Sequence, residues 1–302
     1  MKFYQIFIFI GVFFLVNAEA ADELAGPVSV YESYTPENNT YQTLLNTPYS
    51  LFIHDRTYLL PVVYNWTPHT EIYSGLAKAQ PSGQPFYGHV EAEFQISFFF
   101  PIYRRFLRSD WDLLAAYTHH AWWQIYNSAW SKPFRETNYR PELFFRKVND
   151  HPVRIFDLNL AALDLGYMHE SNGQVQVISR SWDRLFARGY FLNDNWSMAL
   201  EAWIRLPEKS NEDDNEDIQR YRGVGQIVVH KSIGSHSLEV KVPFAQNGGV
   251  ELMYSYPWRE HLRWFVTGRT GYGHSLIEYK ERTERIGVGI TLENLMDKND
   301  DL

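Results

Sequence analysis

From Thr57 onward, apolar and polar residues alternate with a period of two, in runs that recur to the end of the chain. Val90, Ala92, Phe94, Ile96, Phe98 and Phe100 share one parity, and Glu91, Glu93, Gln95 and Ser97 share the other. Trp196, Met198, Leu200, Ala202 and Ile204 oppose Glu201 and Arg205 in the same way, and Ile286, Val288, Ile290 and Leu292 oppose Arg285 and Thr291. Period two is the signature of a strand with one apolar and one polar face. Such runs lie near Tyr58–Tyr64, His89–Pro101, Asp110–Gln124, Thr137–Lys147, Asp157–Ser171, Ser181–Leu192, Asn195–Leu206, Arg220–Ile233, His236–Phe244, Gly249–Trp258, His261–Gly273 and Arg282–Leu295. The links alternate between short ones, such as Asn193-Asp194 and Arg259-Glu260, and longer ones, such as the acidic Ser210–Asp217. An even number of strands of about ten residues with such links predicts an all-β chain, a transmembrane antiparallel β-barrel of about 12 strands.

A soluble β-sandwich also alternates, but its polar strand faces meet bulk water. Here the polar face repeats Glu with Arg or Lys: Arg140 and Glu142, Arg184 and Arg188, Glu201 and Arg205, Glu239 and Lys241. That pattern suits a self-pairing barrel lumen. Tyr and Trp near strand ends on the apolar face suit interfacial girdles. No segment after residue 20 has the roughly 20 apolar residues that a membrane helix requires.

The N-terminus adds a compartment. Lys2 precedes an apolar run, Phe3–Val16, broken by Gln5, and Ala18-Glu19-Ala20 fits small-x-small cleavage. The run is too short to span a bilayer well and reads as a cleaved signal peptide over residues 1–20. Residues 21–55 are mixed and polar, an N-terminal extension; 56–296 form the barrel; 297–302 are a polar tail. The 302 residues include no cysteine, which excludes a disulfide framework and thiolate chemistry. With 28 Lys+Arg against 36 Asp+Glu, the net charge of -8 argues against a nucleic-acid partner. An exported, cysteine-free, aromatic-rich acidic chain fits the outer membrane of a Gram-negative cell.

One strand carries chemistry. Leu163, Leu165, Tyr167, His169 and Ser171 share a parity, so His169 and Ser171 sit on the outward, apolar face. Residues i and i+2 of a strand are about 6.6 Å apart and point the same way. His169 can therefore serve Ser171 as general base. In the next strand Asp183 has the parity of Leu185 and Ala187, again outward. An antiparallel pairing puts it beside His169, where a carboxylate fixes the tautomer and stabilises the imidazolium. A His-x-Ser pair arises readily by chance, but polar side chains on a lipid-facing surface are costly unless they serve something. Two readings follow: a lipid-facing serine hydrolase, and a catalytically silent, porin-like or structural barrel.

His169-x-Ser171-Asn172-Gly173 and Ser179-Arg180-Ser181-Trp182-Asp183-Arg184 resemble the signature of the bacterial outer membrane phospholipase A family. Trp122-Trp123-Gln124, Phe134-Arg135-Glu136-Thr137-Asn138-Tyr139-x-Pro141, Gly271–Tyr279 and Arg285–Gly289 resemble the same family, in order, over about residues 89–296. The resemblance implies a twelve-stranded barrel that hydrolyses acyl esters of phospholipids and lysophospholipids at the A1 and A2 positions. It implies a calcium-dependent homodimer with Ser171 as nucleophile and His169 as base. The family's triad Asn falls on Asp183, a departure that keeps an ordinary third triad member.

Calcium at the dimer interface is implied to take Ser179 and the Gln174 carbonyl from one subunit and Ser131 from the other, a hard-oxygen set. A second family calcium site falls on Gln176 and Asp214, where the carboxylate is missing at Gln176. The acidic run Glu212–Asp217 reads first as a solvated loop, the commoner fate of charge runs, and second as a loose calcium site. His119 shares the outward parity of Leu113, Ala115 and Tyr117. It is open to two readings, a dimer contact and a girdle histidine. The resemblance also departs at the end, where Leu295-Met296 is followed by the polar tail rather than closing on a terminal aromatic residue.

Overall fold

A computed structural model describes residues 51–73, 83–155, 158–175, 178–193, 196–209, 213–259 and 261–292. The expected signal peptide, most of the extension, the C-terminal tail and Gln176 lie outside the described residues. The strands are β1 (Phe52–Ile53), β2 (Tyr58–Asn65), β3 (Val90–Tyr103), β4 (Asp112–Trp123), β5 (Phe134–Ile155), β6 (Leu158–Ser171) and β7 (Ser181–Asn193). They continue as β8 (Trp196–Arg205), β9 (Gly225–Ile233), β10 (His236–Pro243), β11 (Gly249–Arg259), β12 (Leu262–Gly271) and β13 (Thr283–Leu292).

Each strand from β2 to β13 pairs antiparallel with its sequence neighbours, and β13 pairs back onto β2. The result is a closed 12-strand antiparallel barrel, the architecture that the alternation predicts. Closure leaves no open edge, so backbone groups at membrane depth bond to neighbouring strands. β1 continues the row of β2 along β3, with Phe52 opposite Phe99. No helix among the described residues is long and apolar enough to cross a membrane.

The pleat sorts the side chains. Exposed apolar residues such as Ile96, Leu143, Leu185, Leu238 and Val288 stud the outer face, where lipid takes the place of a protein core. The opposite parity points into the lumen and is buried. Arg135 bonds Glu91 at 2.8 Å, Arg188 bonds Glu201 at 2.7 Å, and Arg146 makes two 2.6 Å bonds to Asp164. Arg184 also lies 3.7 Å from the centre of the Trp182 ring. Of the charges expected to pair inside, Arg140, Glu142, Arg184, Arg188, Glu201 and Glu239 do so, the last with Arg56, while Lys241 has no ion pair among the described residues. Pairing is the condition for keeping ions away from water. His54 and Asp55 enter the same network through Glu142 and Arg140.

The long links gather at one end of the barrel and the short ones at the other. Two boundaries differ from the sequence reading. The run from Arg220 to Ile233 is not one strand: Ile218–Arg222 is a short helix, α1, and β9 begins at Gly225. Buried Ile218 anchors the helix, and Gly223 turns the chain at φ 83°, where a Cβ would stand 2.5 Å from the Phe244 carbonyl oxygen. β5 runs from Phe134 to Ile155, well beyond Thr137–Lys147, because its hairpin with β6 extends past a register shift between Val148 and Val153.

Candidate active site

β6 and β7 form a hairpin whose register sets His169 directly opposite Asp183 and Ser171 opposite Ser181. All four belong to the outward parity. His169 Nδ1 lies 2.8 Å from Asp183 Oδ1, with side chains 34% and 30% exposed. A carboxylate accepts, so Nδ1 carries the hydrogen, and in the neutral ring Nε2 is left as the base. Ser171 is the last residue of β6, two positions from His169 on the same face. No hydrogen bond joins its hydroxyl to the ring, and such bonds often tighten only around a substrate.

A fourth residue belongs to this cluster. Tyr167, outward on β6, donates its hydroxyl hydrogen to the same Asp183 oxygen that receives His169. The sequence put Tyr167 on the correct face but assigned it no role. Its signal is the shared parity with His169 and a position two residues before it.

The lumen side of the same hairpin holds the backbone in place. Glu170, between His169 and Ser171, accepts from Trp182 Nε1 at 3.1 Å, Arg184 at 2.7 Å and Arg222 at 3.0 Å. Trp182 and Arg184 flank Asp183, so one buried carboxylate ties the peptide segments under all three outer residues. The internal polar cavity is lined by Glu170, Arg184 and Arg222, but not by His169, Ser171 or Asp183. The candidate chemistry therefore faces the membrane.

Beyond Ser171 the chain turns sharply. Buried Asn172 donates to the Ile178 carbonyl at 2.7 Å and accepts from the amides of Gln174 and Arg180 at 3.2 and 3.0 Å. Gly173 has φ 63°, and a Cβ there would stand 2.9 Å from the Tyr139 ring. Its N–H has no hydrogen-bond partner among the described residues.

Ser179 is half-buried and Gln174 exposed, both in the link after β6. Ser131 is exposed at φ 60° in the link between β4 and β5. His119 stacks on Phe94 at 5.7 Å and meets Tyr139 edge-on at 5.2 Å. In the acidic loop, Asp213 is 2.7 Å from Arg205, and Asp217 accepts from Tyr279 and Lys280. Tyr279 and Lys280 outweigh burial and hold the Asp217 carboxyl below its ordinary range. Two of these carboxylates are thus already paired.

A family model described as Phospholipase A1 matches residues 37–292. The chain belongs to the phospholipase A1 family. It is 36% identical over 255 residues to phospholipase A1 of Escherichia coli K12, covering 83% of this chain and 84% of that protein. It is similar to an E. coli outer membrane phospholipase A solved with an active-site Asn-to-Ala substitution, at TM-score 0.75 and 34% identity over 83% and 95% of the two chains. It is also similar to the Salmonella typhi outer membrane phospholipase solved as a calcium-bound dimer, at TM-score 0.75 and 32% identity over 85% and 97%. The phospholipase A1 family is a family of enzymes, so the hydrolase reading prevails over the silent barrel. The fold is that of an outer-membrane barrel.

Proposed function

We propose that this chain is a calcium-dependent outer membrane phospholipase that cleaves acyl esters at the A1 and A2 positions of phospholipids and lysophospholipids. The observation that carries the reading is the His169–Asp183 pair on the lipid face, with Ser171 two residues along the same strand. A carboxylate and an imidazole on that surface are costly unless they serve something.

Ser171 Oγ attacks the ester carbonyl carbon as His169 Nε2 takes its proton. Asp183 holds Nδ1–H and stabilises the imidazolium. The Gly173 N–H, which has no partner among the described residues, is the donor that supports the developing oxyanion. As the intermediate collapses, the carbonyl–alkoxy bond breaks and His169 returns the proton to the departing alcohol. Water, deprotonated by His169, then attacks the acyl carbon, the acyl–Oγ bond breaks, and His169 returns the proton to Ser171 as the fatty acid leaves. Tyr167 holds the Asp183 carboxylate in place throughout, offsetting a negative charge near lipid.

Asp183 takes the position of the family's Asn, and a solved relative altered at an active-site Asn supports that correspondence. The hydroxyl and carbonyl oxygens of Ser179 and Gln174, with Ser131 of the partner subunit, are neutral hard donors that fit calcium completed by water. Calcium held there would supply positive charge that polarises the ester carbonyl. The exposure of Ser131 and Gln174 agrees with a site completed by a second barrel. Dimerisation would then gate the enzyme, and the calcium-bound dimeric relative supports that arrangement. Export with removal of residues 1–20 precedes insertion. His119, stacked on the apolar outer face, is suited to the dimer contact.

The test is cleavage of a fluorescent phospholipid by detergent-refolded protein, with calcium and with EDTA. Turnover with calcium and none with EDTA is expected. Turnover indifferent to EDTA refutes the calcium requirement, and none under either condition refutes the activity.

A further inference from the structure

The end of the barrel with the long links holds a second group of side chains, separate from the outer-face cluster. His69 and Glu71 follow β2, and Glu281 precedes β13, the two strands that close the barrel. His69 Nδ1 lies 3.2 Å from Glu71 Oε1 and 3.6 Å from Glu281 Oε2, and one donor atom from each residue lies within 4.8 Å of the others.

The protonation pattern makes this more than a group of neighbours. His69 Nε2 lies 3.0 Å from the Arg282 carbonyl oxygen. A carbonyl only accepts, so Nε2 carries the hydrogen, and Nδ1 of the neutral ring is a lone pair. Nδ1 faces both carboxylates, so it either carries a hydrogen toward Glu71 or offers its lone pair to a cation that the two carboxylates also reach. The cations flanking Glu281 are engaged elsewhere. Lys280 is 3.0 Å from Asp217, and Arg282 is 2.7 Å from Glu284 and 3.1 Å from Thr270. Among the described residues, Glu71 and Glu281 have no ion-pair partner but His69.

We propose that His69 Nδ1, Glu71 and Glu281 bind a divalent transition-type cation, zinc being the best match. Zinc–ligand bonds of about 2.0–2.2 Å at tetrahedral angles set donor atoms about 3.3–3.6 Å apart. The 3.2 and 3.6 Å separations agree. The Nε2–H bond to a carbonyl is the outer contact that orients metal-bound histidines. One imidazole and two carboxylates suit zinc, whereas calcium prefers oxygen alone. The site is thus chemically distinct from Ser131, Gln174 and Ser179. Glu71 is 69% exposed in its side chain, so water can fill the remaining position. Two carboxylates neutralise the cation, and the ion would cross-link two loops at the seam where β13 meets β2.

The test is calorimetric titration of chelator-stripped, detergent-refolded full-length protein with zinc chloride, with and without millimolar calcium. Parallel titrations use His69→Ala and Glu281→Gln. One saturable zinc site indifferent to calcium is expected, weakened at least about tenfold in each variant. Zinc should also raise the thermal unfolding midpoint of the parent and not of the variants. Glu281→Gln keeps the His69–Arg282 bond, so it decides the matter if His69→Ala does not refold. Absence of saturable binding overturns the proposal, leaving a protonated histidine between two glutamates. Unchanged binding in the variants overturns it too, because the zinc then sits elsewhere.

Discussion

Glu170 and Asp183 sit on opposite faces of one hairpin wall, and their surroundings differ in kind. Glu170 points inward and is held by Trp182, Arg184 and Arg222. Its partners are fixed cations and a fixed donor, so its charge serves the fold. Asp183 points outward and is held by His169 and Tyr167, with no arginine or lysine in bonding contact among the described residues. Its main partner is an imidazole, which carries no fixed charge. A carboxylate bonded to arginine locks a structure, whereas in the proposed mechanism the one bonded to histidine orients a base. The wall uses both, with the first supporting the second through alternate residues of the same strands.

The sharpest break of this comparison is Ser171→Ala. Phospholipid turnover should fall by at least about a thousandfold, while the barrel keeps its sheet signal in circular dichroism. Substantial residual turnover would remove Ser171 from the nucleophile role. Asp183 comes next. Asp183→Ala should cost about a hundredfold or more in kcat, whereas Asp183→Asn should keep activity within about tenfold, since an amide oxygen still accepts from His169. If the Asn variant were as inactive as Ser171→Ala, the outer carboxylate would need its charge.

Glu170→Ala tests the inner face. Leaving Arg184 and Arg222 without their shared acceptor should lower stability to urea unfolding by about 1–3 kcal/mol. Activity should follow only through loosened geometry. An unaltered unfolding midpoint would deny the inner carboxylate its structural role. Ser131→Ala and Ser179→Ala should each raise the calcium needed for half-maximal activity by about tenfold and weaken crosslinkable dimer. A fully active monomer in detergent sedimentation would contradict that coupling. The smallest effect is expected for Tyr167→Phe. Losing a hydrogen bond worth about 1 kcal/mol should lower kcat about fivefold. The loss should shrink in the Asp183→Asn background, where no carboxylate needs the hydroxyl. Equal losses in both backgrounds would make Tyr167 a packing residue only.

The alternation and the parity of single residues already specified a barrel, told lumen from lipid face, and put His169, Ser171 and Asp183 on one surface. Those properties are local, because strand side chains alternate strictly and a hairpin brings its two strands into register. The extent of β5, the helix at Ile218–Arg222 and the partners of each buried charge were not local. They depend on how far strands are staggered at closure, which no run of residues states. Arg222 reaches Glu170 from α1, which lies between β8 and β9 and not on a strand. His69 meets Glu281 only because β13 returns to β2. The face a residue occupies follows from its own strand, but the partner it finds across the barrel follows from the register of every strand between.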